Sequence, residues 1–382
     1  MQKAARIAGA YPDNRSRYKE IMVRQKYHPT MALSAAISMA FAAPALAADP
    51  SLSASLTVVS QTVDKSDGAN ASQLTNRVDI NAEIPAGKIG HAEGKVFAHI
   101  RAGNEAAAGN DAFASSNATA FDFPAPVLLQ AWYQLDIPAG TEGNKVEFTV
   151  GKMDSFEFFD GHYLANDESE GFLNLAFVHN PLLDAGGDTE HGLHGGSPGV
   201  RLAHVSALKD GSLTVSAGLF GTGGNGEQFG DVFNNSFSIA QVEYTGKALA
   251  GLEGAYRLYG WNNRNQQHRG WGISLDQAVN SHVGVFARYG DRTTGSGNFN
   301  SAWTLGAQVN GVHWGRERDR LGMAYGILNA TAGGSERIAE LFYAVQINDN
   351  LHVTPSLQRI NDAAATHGNN RTVYSVRAKA SF

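Results

Sequence analysis

The chain has 382 residues, of which 43 are glycine and none cysteine, with a formal net charge of −6. Without cysteine there are no disulfides, no zinc–thiolate site and no cysteine-ligated iron–sulfur cluster, so any exported fold must be held noncovalently. The acidic balance argues against nucleic acid as a partner.

The first element in chain order is an apolar run, "MALSAAISMAFAAPALA" at Met31 to Ala47, preceded by Arg24 and Lys26 and closed by Ala45-Leu46-Ala47. A basic flank, a short apolar stretch and a small-x-small ending predict a secretory signal peptide. Met22 is the more ordinary start codon, which makes residues 1–21 an expected over-extension. Residues 1–47 are thus read as an N-terminal extension and signal peptide, and 48–382 as one domain. Removing 1–47 takes away seven basic and two acidic residues and leaves the rest at −11. No later apolar run approaches the length of a membrane helix, which excludes a helical membrane protein.

From residue 53 onward the pattern is strict alternation, the period of a strand with one apolar and one polar face. In "LTNRVDINAEI", Val78, Ile80, Ala82 and Ile84 oppose Arg77, Asp79, Asn81 and Glu83. "VLLQAWYQLDI" and "HVGVFARYG" divide in the same way, and "VYSVRAKASF" sets Tyr374, Val376, Ala378, Ala380 and Phe382 against Ser375, Arg377, Lys379 and Ser381. Sixteen such segments are predicted, over 53–63, 74–84, 89–102, 126–137, 145–153, 199–206, 212–220, 236–245, 252–262, 269–278, 282–290, 302–311, 319–328, 337–347, 351–360 and 372–382. About ten residues is the length at which a tilted strand crosses a hydrocarbon layer.

The connections alternate in length. "PAG" at Pro85 to Gly87, "KDG" at Lys209 to Gly211 and "NDN" at Asn348 to Asn350 read as tight turns. Gly103 to Ala125, Asp154 to Pro198, Gly221 to Asn235, Asp291 to Ser301 and Asn361 to Arg371 read as longer loops. A soluble sandwich has no reason for that alternation. It predicts an all-β, up-and-down antiparallel transmembrane barrel of about sixteen strands, with short periplasmic turns and long extracellular loops. Lipid requires every backbone polar group to be paired, so the last strand must close on the first.

The same parity turns Arg77, Glu83, Lys95, Arg101, Gln130, Trp132, Glu147, Gln241, Glu253, Arg257, Tyr259, Arg288, Gln308, Glu340 and Arg377 inward. They are the candidate pore-lining residues, or else they solvate the lumen and pair with one another. A barrel of this size has room for water, and interleaved charges, amides and aromatic rings suit neutral polyhydroxylated solutes. Asp154 to Pro198 is too long for a structureless loop and reads as a constriction folded into the barrel. Its aromatic residues would pack on the inner wall while Asp167, Glu168 and Glu170 face water. "GTGGNG" at Gly221 lacks the following helix of a dinucleotide site, and His191 and His194 lack metal-site spacing. An outer-membrane hydrolase built on His162, His191 or His194 with Asp160 or Asp188 would lack a serine elbow or carboxylate pair.

Four blocks, "VGKMDSFEFFDGHYLANDESEGFL", "GWGISLDQAV" with "HVGVFARYG", "AWTLGAQVNGVHWGRERDRLGMAYG" and "ELFYAVQINDNLHVTPSLQRI", resemble the carbohydrate-selective porins of Gram-negative bacteria, the glucose-porin type. The resemblance implies a sixteen-stranded outer-membrane barrel that passes small neutral sugars by diffusion and uses no cofactor. It is also compatible with a monomer or a homotrimer. The terminal Phe382 resembles the signal by which the barrel assembly machinery recognises such proteins. Their surroundings would be outer-membrane lipid and lipopolysaccharide. The expected function is passive, mildly selective carbohydrate uptake without enzyme activity. A general or ion-selective porin is the alternative, and a hydrolase or a non-conducting barrel is the reading from another class.

Overall fold

A computed structural model describes residues 50–382 except 67, 108–110, 184–195, 223–230, 235 and 296. Sixteen strands follow in order: β1 (Ser51–Lys65), β2 (Ala71–Ile89), β3 (Ala92–Asn104), β4 (Val127–Pro138), β5 (Lys145–Met153), β6 (Ser197–Leu208), β7 (Gly211–Gly221), β8 (Ser236–Lys247), β9 (Glu253–Asn263), β10 (His268–Ala278), β11 (Val283–Thr294), β12 (Phe299–Gly311), β13 (Arg316–Ala330), β14 (Ser335–Asn348), β15 (Leu351–Asn361) and β16 (Arg371–Ser381). Each pairs antiparallel with its chain neighbours, and β1 pairs with β16 to close the barrel. Phe382 N–H donates to Ala54 O at 2.8 Å and Ala54 N–H returns the bond at 3.1 Å. No edge remains to be satisfied within a bilayer.

The alternation falls as predicted. Leu56, Val78, Ile80, Leu202, Val215, Val242, Leu258, Leu305, Met323, Leu341 and Val376 are all exposed on the outer surface. In water, so continuous an apolar surface would aggregate; beside lipid chains it is the required solvent match. At the long-loop end this surface carries the outward pairs Trp271–Tyr289 and Trp303–Tyr325, with ring centroids 5.5 and 5.7 Å apart. At the short-turn end it carries Tyr244–Tyr256 and Trp314–Tyr343, at 6.4 and 6.2 Å. Two aromatic girdles bracketing an apolar band mark the two membrane interfaces.

Several boundaries differ from the sequence reading. "PAG" is not a turn: Pro85 lies inside β2 at a register shift, and the chain reverses at residues 90–91, where Gly90 has φ +63°. A bulge absorbs the proline, which cannot donate to a ladder. The predicted loop from Asp291 to Ser301 shrinks to 295–298 because β11 and β12 continue to Thr294 and from Phe299. The predicted signal peptide, "GTGGNG" beyond Thr222, and Asp188, His191 and His194 lie outside the described residues.

The interior also differs. It is not a wholly polar wall, because inward positions on β7 to β16 include Phe220, Phe237, Ile239, Trp261, Phe286, Phe342, Ile360 and Val373, all buried. They meet the β5–β6 connection in two clusters. Phe172 and Phe177 join Phe286 and Phe342, while Phe156, Phe159 and Leu183 join Phe220, Phe237 and Trp261. Part of the lumen is therefore a packed apolar core, built by a segment that the alternation of the strands does not register.

Candidate functional site: a loop folded into the lumen

The segment after β5 begins with a one-turn helix at Ser155–Glu157 whose first N–H groups are capped by the Asp154 side chain, at 2.9 Å from Phe156 N. Asp160, in the left-handed region at φ 57°, then turns the chain across the barrel. Its carboxylate accepts from Asn180 N at 2.8 Å and from Tyr259 Oη at 3.2 Å, and meets Arg288 Nε at 3.0 Å. Arg288 spends its remaining N–H groups on backbone carbonyls of the same segment: Phe177 O at 2.7 Å, Ala165 O at 2.7 Å and Val178 O at 3.0 Å. One wall arginine thus ties both limbs of the loop.

Other wall groups repeat the device. Glu340 accepts from Leu173 N and Asn174 N at 2.8 and 2.9 Å, and Arg377 donates to Glu168 O and Gly171 O at 2.7 and 3.0 Å. Gln241 Oε1 accepts from Asp160 N, and Gln308 donates to Leu164 O. Buried backbone groups must find partners, and the wall supplies them. Inward glycines make the space: a Cβ on Gly290 would stand 2.4 Å from Asn180 Oδ1, and one on Gly322 would stand 2.2 Å from the Phe342 ring.

This corrects the reading of Arg288, Tyr259, Glu340 and Arg377 as solute-contacting groups. All four are at most 2% exposed, covered by the loop they hold. Arg257 is likewise occupied, 2.7 Å from Asp276 and 3.2 Å from Glu243. Glu147 pairs with Arg201 and Lys145 at 2.8 and 2.7 Å, and Trp132 is packed between Phe97 and Phe158. Glu83 and Glu253 turn inward but stand exposed at the short-turn rim, Glu83 at 3.4 Å from Lys95. Asp160 and His162 are also not at the barrel mouth as the hydrolase reading requires. His162 is buried 3.6 Å from Asp276, and burial, aided by Arg288 and Arg257, drives its basicity well below that of a free imidazole.

The lumen keeps a cavity of about 590 Å³ beside the loop. Its wall side carries Arg77, Asp79, His99, Arg101 and Gln130, joined by Arg320 and Lys379, and its loop side carries Glu157, Asp167, Glu168 and Glu170. The loop acids do not simply face water as expected. Glu168 lies 2.5 Å from Arg77 Nη1 and Glu170 lies 2.8 Å from Lys379 Nζ and 3.3 Å from Arg320 Nη2. Burial opposes ionisation of Glu168, but Arg77 and Arg101 outweigh it and hold the carboxyl at about 2. Glu157 goes the other way, raised to about 7 by its position inside the barrel and by neighbouring Asp154. His179, stacked on Phe156 at 3.9 Å, is lowered by burial to about 4.

A second connection, missed by the sequence reading, also enters the lumen. Between β3 and β4, Ala118 N donates to Leu173 O at 2.8 Å, while Ser115 and Ser116 offer carbonyls to Leu175 N and to Gln358 Nε2, at 2.9 and 2.8 Å. Glu336 accepts from Phe113 N at 2.8 Å. The inward Gln61, Glu336 and Gln358 hold this connection, and nothing in their sequence pattern sets them apart from other lumen-facing polar groups. A larger concavity, about 680 Å³ among Phe148, Leu202, Ala217 and Leu219, opens on the lipid-facing surface and is no part of this site.

A closed sixteen-stranded barrel with its longest connection folded inside defines the class: a porin-type barrel. Within it, residues 256–382 match the family described as "Carbohydrate-selective porin, OprB family". Among solved structures, the chain is similar to the high-pH structure of Pseudomonas putida OprB, with TM-score 0.72 and 14% identity over 92% of this chain and 97% of that one. The low-pH structure of the same protein gives 0.55 and 17% over 87% and 92%. A mutant of the Rh. blastica porin gives 0.56 and 13% over 87% and 100%. No curated protein sequence matches the chain.

Proposed function

We propose that the chain gives small neutral sugars a passive, mildly selective route across a Gram-negative outer membrane, with the segment after Met153 as its constriction. The observation that carries this is the position of the polar cavity: it lies between charged wall residues and a loop held by Arg288, Glu340 and Arg377. A solute that must pass there meets charged hydrogen-bonding groups of both signs at close quarters, Arg77, Asp79 and Glu168 among them. Such groups hold hydroxyls weakly enough to release them. The wall residues expected to touch sugar act chiefly as loop anchors in this reading, and Arg77, Arg101 and Glu168 keep the role of path residues.

Phe382, zipped to Ala54, is the proposed contact for the barrel assembly machinery, with lipid and lipopolysaccharide around the apolar band. Residues 31–47 act as the proposed export signal. The assembled form is a monomer or a homotrimer.

Liposome swelling with the purified mature chain tests the reading, comparing glucose, longer oligosaccharides and charged solutes of matched size. Faster entry of sugars than of charged solutes, with discrimination lost in Arg288→Met, is expected. Entry ordered by size alone makes the protein a general porin, and no swelling refutes a channel.

A further inference from the structure

Every acid lining the lumen cavity on the wall or the far limb of the loop has a cation. Asp79 has Arg77 and Arg101 at 2.7 and 2.6 Å, Glu168 has Arg77, Glu170 has Lys379 and Arg320, and Asp167 lies 3.7 Å from Lys379. Glu157 is different. It projects into the cavity from the one-turn helix at the loop entrance, exposed to lumen water, and its recorded partner is the uncharged Gln130 Nε2 at 3.5 Å. No cation stands within ion-pair reach of it among the described residues.

Resting on the channel reading above, we propose that Glu157 sets the charge preference of the pore: its unneutralised carboxylate draws cations, protonated amino sugars among them, and the preference fades when the carboxyl takes up a proton. The groups facing it are Asp154 and Glu168 from the loop and Arg101 and Gln130 from the wall, with His179 behind Phe156. Asp154 and Glu168 make ionisation harder, and Arg101 is already engaged by Asp79 at 2.6 Å. Enclosure by the barrel, where confined lumen water solvates a carboxylate less well than bulk water, and the neighbouring Asp154 raise the proton's release to about 7, inside the range that a bilayer experiment can scan. A single charge a few ångströms from a water-filled path changes the local ion population by about threefold at the dielectric constant of water.

The test is the zero-current potential of the purified protein in planar bilayers under a potassium chloride gradient, at about pH 5.5 and about pH 8.5. The wild type is expected to raise its preference for potassium over chloride about threefold from the lower to the higher pH, while Glu157→Gln stays near the wild-type acid value at both. An ion preference with no pH dependence in the wild type, or the same dependence in Glu157→Gln, overturns the inference and leaves the channel reading standing. Absence of any current overturns both.

Discussion

Arg288 and Asp160 form an ion pair at 3.0 Å with both side chains wholly inaccessible, the arginine on the barrel wall and the aspartate on the loop. Removing one member of such a pair strands the other charge in a dry site, at a cost of about 3–5 kcal/mol. The barrel itself is closed by an unbroken ladder that this pair does not touch. Arg288→Met is therefore expected to leave the barrel folded and to release the loop. Single-channel conductance in planar bilayers should rise, and circular dichroism should retain the β signature.

Acid acts on the same loop through three groups, two of which favour its release. His179 sits at about 4, below its ordinary 6.5, so its contribution to docking is complete above 6.5 and is lost as pH falls toward 4. Glu168 sits at about 2 against 4.5, so its share is complete above 4.5 and disappears as pH falls toward 2. Glu157 opposes the histidine, because its value of about 7 against an ordinary 4.5 adds docking stability as pH falls through that window. Limited proteolysis of the protein in detergent micelles should therefore show little change in loop cleavage down to about pH 4.5 and a steep increase below it, while His179→Asn should make the loop more resistant as pH falls from about 7 to about 4.5.

Gly290 tests the space beneath the loop. A side chain there points at Asn180 Oδ1 and Leu182 Cβ, with a Cβ contact of 2.4 Å to the former. Overpacking of this kind costs about 1–3 kcal/mol. Gly290→Val should displace the loop without unfolding the barrel, and an increase in conductance approaching that of Arg288→Met is the expected readout. An unchanged conductance would mean that the loop yields locally.

At the seam, Phe382 exchanges two backbone hydrogen bonds with Ala54. Deleting Phe382 should lower thermal stability by about 1–3 kcal/mol, taking about 1 kcal/mol for each bond. If the residue is also the assembly signal, the folded fraction in outer membranes should fall much further than refolding in detergent does. Equal losses in both settings would confine Phe382 to a structural role.

The barrel was legible because lipid imposes a simple rule. Each outward position must be apolar, and residues such as Val376 and Ile80 declare it with period two. Loop docking follows no such rule. Arg288 and Glu340 look the same in sequence whether they bind water, a solute or a buried carbonyl, and the difference lies in a segment that is over a hundred residues away. Phe286 and Phe342 were the readable exceptions, since large apolar groups turned inward call for a partner inside. The proline bulge at Pro85 misled because its local signal is that of a turn.

The seam between β1 and β16 has a consequence for the order of assembly. The bond from Ser66 to Gly368 O spans 302 positions, whereas every other pair of strands joins chain neighbours. Hairpins can form as the chain arrives, but the ring cannot close until β16 is present, and until then β1 and β15 hold their polar edges open. The chain thus spends its time before completion as a curved ribbon in need of escort. Its final contact is the slowest to find, and the one that makes the structure compatible with a membrane.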